Sequence, residues 1–144
     1  MSEAAVLDRP PTRRRRRAAA AASVALLLLL VAAWVWSGPR HQVAAPPEHA
    51  TPEQVVTVYL AALEARDFDT ANAIDGSHLG RFSRPVTFVD VTRLGSNVNG
   101  DQAYVGFDAT IKNNDGSFND RQSWGFTLER SAGGDWHIVD EGVG

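Results

Sequence analysis

The chain has 144 residues and no cysteine, so a domain outside the cytoplasm has no disulfide bonds, and an anchor through a lipid-modified cysteine is excluded. Its net charge of −3 combines +4 over residues 1–17, from six arginines and two acidic residues, with −7 beyond residue 36, from eight basic and fifteen acidic residues. The acidic C-terminal part argues against nucleic-acid binding, which requires clustered Lys and Arg.

Residues 1–17 end in five consecutive arginines, and the following 19 residues, 18–36, carry no charge. As a helix, 19 residues span roughly 28 Å, close to the hydrocarbon thickness of a bilayer. Because basic residues beside a membrane segment stay in the cytoplasm, we predict a cytoplasmic tail (1–17), a transmembrane helix (18–36) and an extracytoplasmic remainder. Thirteen arginines against one lysine indicate a GC-rich bacterial genome.

A cleaved signal peptide is the alternative to this anchor. Signal peptides have an apolar run of about 7 to 15 residues and a small-x-small cleavage site. Here the run is longer and ends in Trp34 and Trp36, whose amphipathic rings favour the membrane interface. We therefore predict a permanent anchor in the cytoplasmic membrane, with the N-terminus inside.

Residues 37–50 contain three prolines and no apolar periodicity. Such a composition predicts a semi-extended linker, which at about 3.1 Å per residue would hold a domain roughly 40 Å from the membrane. The remaining residues, 51–144, predict one domain that is just large enough for its own core.

The domain begins with two predicted helices. Thr51, Pro52 and Gln54 form a capping-box pattern ahead of an apolar helical face. Asp69 is the predicted N-cap of a second, short helix that ends before Gly76.

After residue 85 the apolar period changes from about 3.6 to 2, which predicts strands. We predict four of them at residues 86–94, 103–112, 122–130 and 136–140, with glycine-containing loops at 95–100, 113–116 and 132–135. Alternation along the second and third strands predicts one core face and one wet face. The predicted class is therefore α+β: a long helix and a short helix packed on a curved four-stranded antiparallel sheet.

Residues 59–63 (YLAAL), 66–69 (RDFD) and 136–140 (WHIVD) resemble the first-helix and last-strand motifs of the nuclear transport factor 2-like superfamily. The resemblance covers roughly residues 51–144 and is nearest to the compact, lumazine-binding-like branch of exported proteins. It implies a curved sheet wrapped around a long helix into a cone, which encloses a pocket in some members. Enzymes of this superfamily use pocket Asp and His residues as acids and bases.

The acid/base candidates of this chain are Asp75, His78, Asp90, Asp108 and His137. Asp75 and His78 are expected to cap or to face solvent at a helix end, and Asp108 and His137 alternate with core residues and are expected to be exposed. Asp90 has the parity of Val86 and Phe88, which would point it inward, but an edge or strand-end position on water is favoured. No catalytic pair emerges, so the chain is more consistent with a non-enzyme. The candidate pocket residues are Tyr59, Phe88, Asp90, Phe107, Trp124 and Trp136.

The sequence contains none of the common motifs of cofactor or metal sites, so neither a cofactor nor a metal is predicted. The layout predicts a single-pass protein that presents a small non-catalytic domain as an accessory or scaffold subunit of a membrane complex. Its expected partners are lipid around residues 18–36 and proteins of the membrane or envelope, with self-association left open. The alternative is a small-molecule binder, or an isomerase or dehydratase, of the same superfamily.

Overall fold

The structure, a computed structural model, describes residues 13–113 and 115–143. The predicted basic tail lies outside the described residues up to position 12. The chain forms two compact units that divide between Ser37 and Gly38. In the first unit, helix α1 runs over Arg13–Trp36, and its apolar part Ala18–Trp36 is long enough to cross a membrane. Every residue of that apolar part is exposed.

The second unit confirms the predicted α+β class. Two helices precede four strands, and each strand is antiparallel to the next in the order β1-β2-β3-β4. The elements are α2 (Pro52–Ala65), α3 (Phe68–Asp75), β1 (Thr87–Asn99), β2 (Gln102–Lys112), β3 (Phe118–Arg130) and β4 (Trp136–Val143).

The capping box of α2 is confirmed. The Thr51 N–H donates to Gln54 Oε1 at 2.8 Å, and the Gln54 N–H donates to Thr51 Oγ1 at 3.4 Å. The predicted cap of α3 is wrong, because Asp67 and not Asp69 is the N-cap residue. The Asp67 carboxylate accepts from the Thr70 N–H at 3.4 Å, and this starts the helix two residues earlier than Asp69 would allow.

The first hairpin is tighter than predicted. Residues 95–99, predicted as part of a loop, extend β1, and the chain reverses at Gly100 and Asp101. Gly100 has φ 62°, the left-handed conformation that two-residue hairpin turns require at glycine. The extra strand length pairs Ser96 with Val105 across the sheet.

The core lies between the helices and one face of the sheet, as the strand alternation predicts. Helix α2 packs on β1, β2 and β4, and α3 packs on α2 and β4. At the centre, Phe88 meets Phe107 edge-on with ring centroids 5.4 Å apart, and Phe107 stacks on Phe126 at 5.8 Å. The buried apolar residues of β2 and β3 are Ala103, Val105, Phe107, Ala109, Ile111, Phe126 and Leu128.

Four register shifts interrupt this alternation, and the one in the β2–β3 pairing lies between Thr110 and Lys112. β1 has one extra residue between Val89 and Thr92, relative to the paired residues of β2, and a second extra residue between Thr92 and Gly95. In β4, Ile138 pairs with Leu128 and Asp140 with Thr127, so Val139 is an extra residue. Each bulge bends its strand and reverses the face of the residues that follow.

The predicted spacer does not stand free. The Arg40 N–H donates to the Ala65 carbonyl at 2.7 Å, and the Val43 N–H donates to Asp67 Oδ2 at 2.8 Å. These bonds fasten residues 40–50 along the helical side of the domain, where Ala50 is buried. The expectation of a 40 Å spacer is therefore wrong, because the backbone of this segment is hydrogen-bonded to the domain.

Candidate functional site

A cavity of about 430 Å³ opens between α2, the residues after α3, the start of β1 and the end of β4. Its apolar wall includes Leu63, Val86 and Phe88, and its polar side includes Tyr59, Asp75 and Glu141. The mixture of an apolar wall and a few convergent polar groups is typical of small-molecule sites.

Tyr59 reaches this cavity from the buried face of α2. The residue is 6% exposed, and its ring meets Phe126 edge-on at 5.5 Å. Burial raises the pKa of the phenol, and a hydrogen bond to Asp75 and the charges of Asp75 and Glu141 raise it further. Tyr59 therefore remains a neutral hydroxyl at any physiological pH and acts as a hydrogen-bond donor.

Asp75 is the last residue of α3, and its carboxylate has two roles. Its Oδ1 accepts from the Ser77 N–H at 2.7 Å, which closes the turn after the helix. Its negative charge also acts on Tyr59 and on Glu141. The helix-end role expected for Asp75 is present, and it leaves the carboxylate at the cavity.

Glu141 lies near the end of β4, opposite Phe126 of the core face, and it is exposed to solvent in part. Desolvation raises the pKa of its carboxyl group, and the charges of Asp75 and Asp140 raise it further. The Trp124 side chain acts in the opposite direction and lowers the pKa of Glu141, although the buried Trp124 Nε1 forms no hydrogen bond within the described chain.

These groups give the cavity a defined chemistry. Tyr59 is a donor, the carboxylates of Asp75 and Glu141 are acceptors with negative charge, and Phe88 supplies an aromatic wall. A small organic cation would pair with the carboxylates and rest against the ring. In the described residues, no group of three His, Cys, Asp or Glu side chains is placed to hold a metal ion.

The structure does not bring the six candidate pocket residues together. Tyr59 and Phe88 line the cavity, and Trp124 lies beside Phe88 with ring centroids 5.6 Å apart. Phe107 is buried in the core. Asp90 is exposed at the first bulge of β1, where the Arg121 guanidinium donates to its carbonyl at 3.0 Å.

Trp136, the sixth candidate, belongs to a different groove of about 520 Å³. This groove forms where the fastened segment, residues 40–50, meets α3 and the start of β4, with Pro46, Pro47 and Ile74 in its wall. The Arg130 guanidinium lies 4.4 Å from the centre of the Trp136 ring. A cation thus already occupies one side of this ring.

The other acid/base candidates lie outside the cavity. Asp108 forms an ion pair with Arg93 at 3.2 Å and accepts from Ser123 Oγ at 2.7 Å, and both His78 and His137 are exposed. Glu141 did not stand out in the sequence, because strict alternation from Trp136 places it on the wet face. The bulge at Val139 reverses that face.

Comparison with known proteins gives a likeness of fold. No protein-family model and no curated protein sequence matches the chain. Among solved structures, the solution structure of a SEC-C motif-containing protein from Rhodopseudomonas palustris superposes with a TM-score of 0.52 at 18% identity. The match covers 67% of this chain and 80% of that one. At this identity, the similarity concerns the fold alone.

Proposed function

We propose that the protein is a single-pass membrane protein that presents a small non-catalytic domain outside the cytoplasmic membrane, as an accessory or scaffold subunit of a membrane complex. One observation carries the proposal. All residues of Ala18–Trp36 are exposed, including Leu29 at 67% and Trp36 at 90%. An apolar surface of this length needs a covering phase, and a bilayer matches its length and shape.

The charge distribution supports the orientation. Arg13–Arg17 precede the apolar segment, and basic residues at this position are retained on the cytoplasmic side. The C-terminal domain then lies outside, where a chain without cysteine is insensitive to the oxidising environment.

The packed centre of the domain supports presentation over catalysis. Phe88, Phe107 and Phe126 contact one another, with the Phe88 and Phe126 ring centroids 6.1 Å apart, and they pack the centre of the domain. We place the domain in the nuclear transport factor 2-like superfamily as part of the same proposal, on the motifs at its two ends and the element order. A domain with a packed centre of this kind offers its outer surface to partners.

The topology is tested by single-cysteine labelling, which the cysteine-free chain makes clean. Ala132→Cys lies in the exposed turn between β3 and β4, and Ser2→Cys lies in the basic tail. A membrane-impermeant maleimide on intact cells should label the first and should reach the second only after permeabilisation. Labelling of Ser2→Cys in intact cells overturns the orientation, and a shortened chain released from the membrane overturns the anchor while keeping the export.

The accessory role is tested by photo-crosslinking the full chain in its native membrane. Crosslinkers placed at exposed positions such as Val98 and Val139 should give defined higher-mass species containing other membrane proteins. If only the free monomer is recovered from every position, the scaffold function is wrong.

The cavity beside Tyr59 favours a second candidate, a binder of small organic cations. Benzylammonium is a suitable probe, because its ring fits an aromatic wall and its charge pairs with Asp75 and Glu141. Binding should shift the indole N–H signal of Trp124, and the variant Asp75→Asn/Glu141→Gln should lose the shift. The matched control Asp101→Asn/Glu129→Gln removes two exposed acidic groups elsewhere and should retain it. Equal shifts in both variants exclude the cavity as the site.

A further inference from the structure

Four cationic side chains line one polar cavity of about 410 Å³ at the C-terminal end of α2: Arg40, Arg66, Arg84 and Lys112. They are half of the eight basic residues beyond residue 36, in a part of the chain whose net charge is −7. Two acidic residues, Glu64 and Asp115, lie on the same wall. The Asp115 carboxylate is engaged by the Ser117 N–H at 2.8 Å and by Ser117 Oγ at 2.6 Å.

Three of these cations, Arg40, Arg84 and Lys112, carry charge that no nearby carboxylate in the described part of the chain neutralises. The Arg40 guanidinium donates to the Glu64 carbonyl at 3.4 Å, and the Lys112 ammonium lies 5.9 Å from the centre of the Phe118 ring. Among the described residues, no carboxylate lies within ion-pair distance of Arg40, Arg84 or Lys112. Capping of the α2 carbonyls accounts for Arg40, but Arg84 and Lys112 come from other elements and have no such role.

An exposed aromatic residue lies beside these charges. Phe82 is 70% exposed at the tip of a turn between Gly80 and Ser83. The Ser83 N–H donates to the Gly80 carbonyl at 2.8 Å, and the Arg66 guanidinium donates to the Arg81 carbonyl at 2.8 Å. The turn is therefore held in one shape, with its apolar side chain outward and arginines on both sides of it.

The length of the tether adds a constraint. Arg40 follows Trp36 by four residues, and four residues reach at most roughly 14 Å. If α1 crosses the bilayer and ends at its surface, Arg40 remains within that reach of the lipid headgroups. The inference below therefore rests on the anchor proposed above.

We propose that this basic face, made of Arg40, Arg66, Arg84, Lys112 and the turn with Phe82, binds the phosphate headgroups of anionic lipids in the membrane that holds α1. The cations attract the phosphate groups, and Phe82 enters the membrane interface. A site for soluble phosphate would have no need of this exposed apolar side chain. Docking of this face orients the domain on the membrane and leaves the opposite end of the sheet, near Arg130, toward partners.

Energy transfer in nanodiscs tests the inference with the full chain. A donor dye on Thr87→Cys, at the rim of the cavity, is paired with an acceptor on the lipid headgroups. Transfer should be higher in discs that contain phosphatidylglycerol than in discs of phosphatidylcholine alone. It should fall when salt rises from about 0.1 M to about 1 M, because the Debye length shortens from about 10 Å to about 3 Å.

Matched variants separate this face from charge in general. Arg84→Gln/Lys112→Gln and Phe82→Ser should each lose the lipid-dependent rise. The control Arg93→Gln/Arg130→Gln also removes two positive charges, from exposed positions outside the cavity, and should keep the lipid-dependent rise. Equal transfer in the two disc types for the unaltered basic face, or equal loss in the control, overturns the inference.

Three outcomes distinguish the basic face from the anchor. A fall in energy transfer in anionic discs on addition of inorganic phosphate, but not of chloride at equal ionic strength, would identify a site for free phosphate and overturn the lipid assignment. Failure of the chain to enter either disc type would overturn the anchor itself. A chain that inserts into both disc types without a lipid-dependent difference leaves the anchor intact and rejects only the basic face.

Discussion

The Val43 N–H donates to Asp67 Oδ2 at 2.8 Å. A carboxylate between α2 and α3 therefore binds the backbone of a residue that lies 24 positions earlier in the chain. The same carboxylate accepts from the Thr70 N–H and from Thr70 Oγ1, the latter at 3.0 Å. One side chain thus caps α3 and fastens the segment that leads from the membrane helix to the domain.

Asp67→Ala should lower the free energy of unfolding by about 1–3 kcal/mol, since it removes a helix cap and leaves the Val43 N–H without its acceptor. Chemical unfolding of the full chain in detergent measures the change. Asp69→Ala is the control, because Asp69 is exposed in the first turn of the same helix and should cost less than about 1 kcal/mol. Equal effects of the two changes would mean that the bonds to Asp67 contribute little.

Asp67 also predicts acid sensitivity. The Val43 N–H, followed by Thr70, holds the pKa of this carboxyl group below its usual value. A lowered pKa in the folded state stabilises the fold above the ordinary pKa, and this stabilisation is lost as the pH falls through the lowered one. The Asp67→Ala variant should therefore show a shallower loss of stability in acid. A curve parallel to that of the parent chain contradicts the prediction.

Glu141 predicts a dependence of the opposite sign. Its pKa is raised, so the folded chain binds more protons than the unfolded chain just above pH 4.5. Stability should consequently fall as the pH rises from the ordinary pKa through the raised one. Glu141→Gln should remove this decline, and Glu129→Gln, an exposed residue on β3, should not. Thermal unfolding across this pH window distinguishes the two.

Tyr104 and Gly125 are coupled on the outer face of the sheet. A Cβ atom at Gly125 would lie 2.0 Å from the Tyr104 hydroxyl, so Gly125→Ala must displace the ring. We expect a cost of about 1–2 kcal/mol from the lost packing, and a smaller cost when Tyr104→Ala is already present. A double-mutant cycle with no coupling energy would show that the ring moves aside freely.

The apolar helix gives the last prediction. Leu27→Arg places a charge near the middle of Ala18–Trp36, at an insertion cost of about 2.5–3.5 kcal/mol. Less of the chain should then be recovered in the membrane fraction, while the unfolding of the domain stays the same because the helix belongs to a separate unit. Unchanged membrane recovery argues against a spanning role for this helix.

The sequence predicted the elements of the fold because its periodicities are strong. The capping box at Thr51 and the alternation around Phe107 predicted a helix and a strand that the structure contains. The strand ends were less predictable, because residues 95–99 combine polar and glycine residues that are typical of loops, yet pair with β2. Tertiary pairing overrides weak local preference at such positions.

The cavity was harder to predict, because bulges change which side chains share a face. Alternation counts every residue, whereas a bulge adds one residue and reverses the face of those after it. Asp90 therefore leaves the parity of Phe88 at the first bulge of β1 and is exposed, and Glu141 joins the face of Phe126 after Val139. No residue type marks these bulges, since Asp90 has φ 54° without being glycine.

The fastened segment also determines how the protein would respond to force. A pull on α1 meets the bonds of Arg40 to Ala65 and of Val43 to Asp67 before it meets any strand of the sheet. Rupture of these bonds would release residues 40–50, about 35 Å of extended chain, while the β1-β2-β3-β4 sheet stays closed. Under tension, residues 40–50 would thus detach first and lengthen the tether before force reaches the sheet.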